Sequence, residues 1–135
     1  MQEIDRFKFR MWDGEKMHYN AEKTYDYGCN GDNVIQASSF GELLEREDIT
    51  LMQATGLQDK NGKLIFESDV VSAEPINTFD FPHTKGFKVG VCEYYYGRFG
   101  LKMPNVHGGF CDFFTLNNRE IIGNRFENPE LLNNL

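Results

Sequence analysis

Met52-Gln-Ala-Thr-Gly-Leu-Gln-Asp-Lys-Asn-Gly-Lys-Leu-Ile-Phe-Glu67, running on into Ser68-Asp69-Val70-Val71, lies at the middle of the chain and sets its architecture. It holds turn and strand chemistry and no reactive chemistry. Asp59-Lys-Asn-Gly62 supplies a tight turn, because an Asp side chain bonds to backbone ahead of it and Gly tolerates positive φ. Apolar residues on both sides are placed to pair, so the segment predicts strands over Ile49–Ala54 and Lys63–Phe66. No nucleophile stands beside a base here, and no set of metal ligands is present. The Asp59-Lys-Asn-Gly run only echoes a calcium loop, whose Gly belongs at position six with a Glu at position twelve.

Toward the N-terminus, Phe7, Phe9 and Met11 alternate with Arg6, Lys8 and Arg10. A period of two predicts a half-buried strand. Asp13-Gly14 is a hairpin signal, with Lys16–Tyr19 as the returning strand. Gly28-Cys-Asn-Gly-Asp-Asn33 reads as loop, and Val34–Gln36 as a short strand. Ser39-Phe-Gly-Glu42 fits a capping box and opens a helix of about two turns ending near Arg46. Toward the C-terminus, Val70-Val71 opens a strand. A long loop holding Pro75, Pro82 and Gly86 follows. Phe87–Tyr96 is a strong strand, Gly97–Gly100 a turn, and Leu101–Met103 its partner. Phe110–Leu116 predicts a strand, Asn117-Asn118 a turn, and Glu120–Arg125 the last strand. Asn128-Pro-Glu-Leu-Leu132 reads as a cap, Pro at the first helical position, and a short terminal helix.

The central stretch also carries a resemblance. Thr55–Lys63, Ile65-Phe66-Glu67 and Asp69-Val70-Val71 look like the signature of the YopX family of bacteriophage and prophage proteins. Phe7-Lys-Phe-Arg-Met-Trp-Asp13 resembles that family's opening segment, and Glu120–Leu132 its closing one. Met17–Thr50 and Ser72–Leu116 match poorly. Ser68 stands where the family usually has Gly, which argues against a positive φ at that position. The resemblance implies phage origin and a fold; it carries over no activity and no catalytic residue. With it, five short strands with a long loop after the first become an SH3-like barrel; spacing alone implies a small barrel or sandwich. The expected fold is mainly β: an N-terminal hairpin, a short helix and the central hairpin over 1–67, then the barrel and a terminal turn of helix over 68–135, packed as one unit.

Composition narrows the function classes. With 135 residues and 14% aromatics, the chain can bury a core without metal or disulfide support. Fourteen Lys and Arg against 21 Asp and Glu leave a net charge of −7. That weighs against non-specific nucleic-acid binding, which rests on neutralising phosphates. Cys29, Cys92 and Cys111 are an odd number without paired spacing and read as buried thiols in a reducing compartment. No signal-peptide pattern and no apolar run long enough for a membrane span occur, so the expectation is cytoplasmic.

No catalytic residue, metal ligand or cofactor-binding residue is assigned. His18, His83 and His107 are too scattered for a zinc site. Gly28–Gly31 and Gly97–Gly100 lack the strand-to-helix setting of a phosphate loop. Cys111 near His107 has Asp112 beside it, the wrong neighbour for an activated thiolate. Two binding surfaces remain. Phe79, Phe81, Tyr95 and Phe99 gather around the long loop and second hairpin, where exposed aromatics would mark an interface with a host or phage protein. Arg6, Lys8 and Arg10, with Trp12 in line, form a basic strand face that would serve nucleic acid as the alternative. The function expected is a non-enzymatic phage accessory protein that binds another protein and self-associates through an unpaired hairpin edge. A hydrolase with an unrecognised site is a third reading, and no residue set recommends it.

Overall fold

The computed structural model describes residues 7–22, 40–75, 88–95, 97–103 and 109–134. The chain divides into two compact units, Met1–Gly56 and Leu57–Leu135. The expected boundary between residues 67 and 68 lies in the turn joining two strands of the second unit, Leu64–Phe66 and Asp69–Pro75.

In the first unit, β1 (Phe9–Trp12) pairs antiparallel with β2 (Met17–Tyr19) and with β3 (Thr50–Gln58). Asp13 and Gly14 turn the first hairpin: the Asp13 carboxylate accepts the N–H groups of Glu15 and Lys16, and Gly14 takes φ 104°. One face of this sheet packs Met11 with Ala21 and with Leu43 of the helix α1 (Phe40–Glu45), flanked by Phe9, Phe40, Ile49 and Leu51. The Phe9 and Phe40 rings meet edge to face at 4.8 Å. The predicted Ser39 cap and the Val34–Gln36 strand lie outside the described residues. β3 runs four residues past the expected end at Ala54, and the unit boundary falls within it at Gly56, where φ is 84°. A four-stranded sheet has the order β2-β1-β3-β4, with β4 being Leu64–Phe66.

The second unit holds β5 (Asp69–Pro75), β6 (Lys88–Tyr95), β7 (Arg98–Lys102), β8 (Phe110–Asp112) and β9 (Leu116–Asn124). Their order is β8-β7-β6-β5-β9, all neighbours antiparallel. The first strand of the five therefore lies between the second and the last, the SH3-like order that the family resemblance implies. Val71, Ala73, Cys92, Leu101, Cys111, Phe113 and Leu116 form the core with Ile65. Cys92 and Cys111 are buried free thiols; Cys29 lies outside the described residues.

Four local expectations are corrected. Gly97–Gly100 is not a turn throughout: Arg98, Phe99 and Gly100 already pair in β7 with Tyr95, Tyr94 and Glu93. Asn117-Asn118 is not a turn. β9 runs through it as an irregularity opposite Ser72–Glu74, with Asn118 at φ 50° and its amide donating to Glu74. The reversal comes earlier, at a 3-10 turn over Phe113–Thr115, because Asp112 captures the Phe114 N–H and so ends β8. Ser68 does adopt a positive φ, 75°, despite its side chain. Its N–H donates to the Cys92 carbonyl and its carbonyl accepts from Arg125, so sheet pairing on both sides holds it there. The terminal helix is a 3-10 segment, Pro129–Asn134.

Candidate functional site

The family-like stretches are spent on architecture. Asp59 is buried, and its Oδ1 accepts the N–H groups of Asn61 and Lys63 while Oδ2 accepts that of Ile121. Burial by itself would raise this carboxyl's pKa. The bonds from Ile121, Lys63 and Asn61 outweigh that and hold it below the ordinary value. Lys60 donates to the Arg119 carbonyl, so the turn also covers the middle of the outer edge of β9. Asp69 caps the β4–β5 turn by accepting the Phe66 N–H at 2.8 Å. In the closing stretch, a Cβ on Gly123 would stand 2.6 Å from Asn128 Oδ1, so only Gly fits. Asn124 Oδ1 accepts from both Phe126 and Glu127.

What projects from this scaffold is the β6–β7 hairpin. Strand alternation sends its aromatics to opposite faces. Tyr94 and Phe99 are cross-strand partners on the core side, their rings 4.9 Å apart, and Phe99 packs against the core while Tyr94 is 57% exposed. Tyr95 and Arg98 are partners on the other side. There the Phe110 ring, from β8, lies where a side chain of residue 100 would be: a Cβ on Gly100 would meet Phe110 Cζ at 2.6 Å. Tyr95 stands 5.3 Å from that ring, and the Arg98 guanidinium lies 5.9 Å over it. Arg98 also reaches Asp112 at 3.5 Å. Gly100 thus makes the floor of a small aromatic and cationic cluster, open to solvent at Tyr95 and Arg98. Phe114, at the 3-10 turn, is 86% exposed.

Of the residues expected to bind a partner, Tyr95 and Phe99 share this hairpin but not a face. Phe79 and Phe81 lie outside the described residues. Sequence reading missed Arg98, Phe110 and Phe114. The alternation Arg98-x-Gly100-x-Lys102 was the available signal for the first. Phe110 needed the β7–β8 register, which no local pattern supplies.

The basic row is not a solvated face. Arg10 is only 2% exposed, and Met52, its partner on β3, and Ala54 are also buried on that side of the sheet. Its guanidinium lies 6.0 Å from the Tyr19 ring. Lys8 and Trp12 are half-buried, and Arg6 lies outside the described residues. His18 Nε2 sits 2.8 Å from Asp13 Oδ2, and this bond is the main cause that lowers the Asp13 pKa to about 2. Among the described residues no group of three or more His, Cys, Asp or Glu is placed to hold a metal, and no helix is long and apolar enough to cross a membrane. His83 and His107 lie outside them.

The YopX protein family matches residues 8–133. The crystal structure of protein EF1440 from Enterococcus faecalis is similar, with 28% identity, coverage of 93% of this chain and 96% of that one, and a TM-score of 0.57. Protein YopX from Bacillus subtilis is similar in fold, with 21% identity, coverage of 93% and 95%, and a TM-score of 0.54. No curated protein matches. With the family match spanning nearly the whole chain, and the signature residues holding the turns and strand edges described above, this chain belongs to the YopX family.

Proposed function

We propose that the protein is a non-enzymatic binding module that offers the β6–β7 hairpin to another protein. The observation that carries this reading is the Tyr95–Arg98–Phe110 cluster: aromatic and cationic groups on the face away from the core, held in place over Gly100 while partly open to water. Tyr and Arg are the side chains most often found at the energetic centres of protein interfaces. Preorganisation lowers the entropy cost of docking. Tyr94 and Phe114 add exposed aromatic area at the hairpin and the 3-10 turn. The setting is the cytoplasm of a bacterium that carries the phage or prophage, as the family resemblance implies.

Self-association belongs to this reading through side-chain faces rather than strand addition. Among the described residues, the long edge β9 is covered at its middle by the Asp59 turn, and the other strands at the ends of the sheets, β2, β4 and β8, are three residues each. Short or covered edges resist pairing with a second chain. The nucleic-acid reading loses its central cation to the burial of Arg10.

The test is affinity capture of tagged protein from bacterial lysate, with and without nuclease, comparing wild type with Tyr95→Ser and Arg98→Ala. A protein retained after nuclease and lost with either variant supports the reading. Retention by both variants removes the hairpin from it. Capture abolished by nuclease turns attention to nucleic acid.

A further inference from the structure

We propose that Asn61-Gly62 is a spontaneous deamidation site that the folded Asp59 turn holds shut. Asn is a thermolabile residue, and its chemistry needs a nucleophile one peptide bond ahead. The Gly62 nitrogen, once deprotonated, attacks Asn61 Cγ. A carbon–nitrogen bond forms, the side-chain amide leaves as ammonia, and a five-membered succinimide results. Water then opens either carbonyl, leaving aspartate or isoaspartate at position 61. No oxidant or reductant is involved.

Two features favour the reaction. Asn61 is exposed, and nothing lies within 4 Å of where a Cβ on Gly62 would stand, so no neighbouring side chain crowds the glycine. Two features oppose it. The Gly62 N–H donates to the Asp59 carbonyl at 3.0 Å, and the Asn61 N–H to Asp59 Oδ1 at 2.9 Å. The nitrogen is engaged and the peptide cannot rotate into line until the turn opens. Local opening therefore gates the chemistry. The product is not neutral for the fold. Isoaspartate adds a backbone carbon inside the loop of bonds between Asp59, Asn61 and Lys63, and the new carboxylate stands beside the buried one. Because the same Asp59 holds the Ile121 N–H, the damage reaches β9. Conversion of Asn61 is thus a one-way record of opening at the turn that defines this fold.

Native protein and protein in urea are incubated side by side at mildly alkaline pH, and the peptide spanning residue 61 is followed by mass spectrometry with aspartate and isoaspartate resolved. Asn30-Gly31, the other Asn-Gly pair in the chain, reports the intrinsic rate in urea. Expected are conversion of Asn61 in urea at a rate matching Asn30, and slowing by about tenfold or more in the native protein. Equal rates in the two conditions overturn the gating; no conversion in urea overturns the site. The isoaspartyl form, isolated and refolded, is expected to unfold at lower urea than unmodified protein, and an unchanged midpoint overturns the consequence for β9.

Discussion

The Ile121 backbone N–H donates to Asp59 Oδ2 across 3.0 Å, tying the last barrel strand to a turn 62 residues earlier in the chain. The same carboxylate closes its own turn through Asn61 and Lys63. One buried side chain therefore fixes a local reversal and covers a strand edge. Replacing it with Ala removes the acceptor of the Asn61, Lys63 and Ile121 N–H groups, the last on a half-buried residue. Asp59→Ala is expected to cost about 2–4 kcal/mol, read as a lower urea midpoint. Asp59→Asn, which keeps one acceptor oxygen, is expected to cost less.

The Asp13–His18 pair sets an acid limit on the first hairpin. The His18 bond, with the N–H donors of Lys16 and Glu15, lowers the Asp13 pKa to about 2 from an ordinary 3.8. A depressed carboxyl contributes stability above its unfolded value and loses it as pH falls through the folded one. Asp13→Asn is therefore expected to destabilise by about 1–2 kcal/mol at pH 6. The difference from wild type should shrink between pH 4 and pH 2. Urea titrations of both proteins across that range check it, and a constant difference would show that Asp13 acts without its charge.

Ser68 stores backbone strain. Its φ of 75° costs an L-residue about 1–2 kcal/mol, part of which Gly would lose again through its freer unfolded chain. Ser68→Gly, the residue usual for the family, is expected to raise stability by about 0.5–1 kcal/mol. The slope of the urea transition should stay unchanged. A lower midpoint would mean that the buried Ser68 side chain is worth more than the strain.

Gly100 is a packing requirement rather than a turn. An added Cβ would lie 2.3 Å from the Cys111 carbonyl oxygen and 2.6 Å from Phe110 Cζ. The ring can swing away but the β8 backbone cannot. Gly100→Ala is expected to cost about 1–3 kcal/mol and to free the Phe110 ring from Tyr95. Thermal unfolding gives the first effect, and weaker partner capture the second.

Much of this fold is local physics written along the chain. Period-two alternation, Asp13-Gly14 and Asp59–Gly62 specify strands and reversals among neighbours in sequence, and the structure has them there. The failures share a cause. Asn117-Asn118 has turn composition, yet β5 pairs with both ends of it and pulls it into β9, while the Asp112 cap takes the reversal. Ser68 lacks the freedom of Gly, yet bonds from two flanking segments outweigh its preference. Arg10 alternates like a solvated residue, yet it is buried together with Met52 and Ala54. The candidate site was half legible: Tyr95 stands out by composition, but its company depends on which strand lies beside β7. The sequence by itself determined the strand class, the Asp13-Gly14 and Asp59–Gly62 turns and the family. The tertiary structure alone decided which side chains meet over Gly100 and which cation is buried, because cross-strand register and burial depend on residues far apart in the chain.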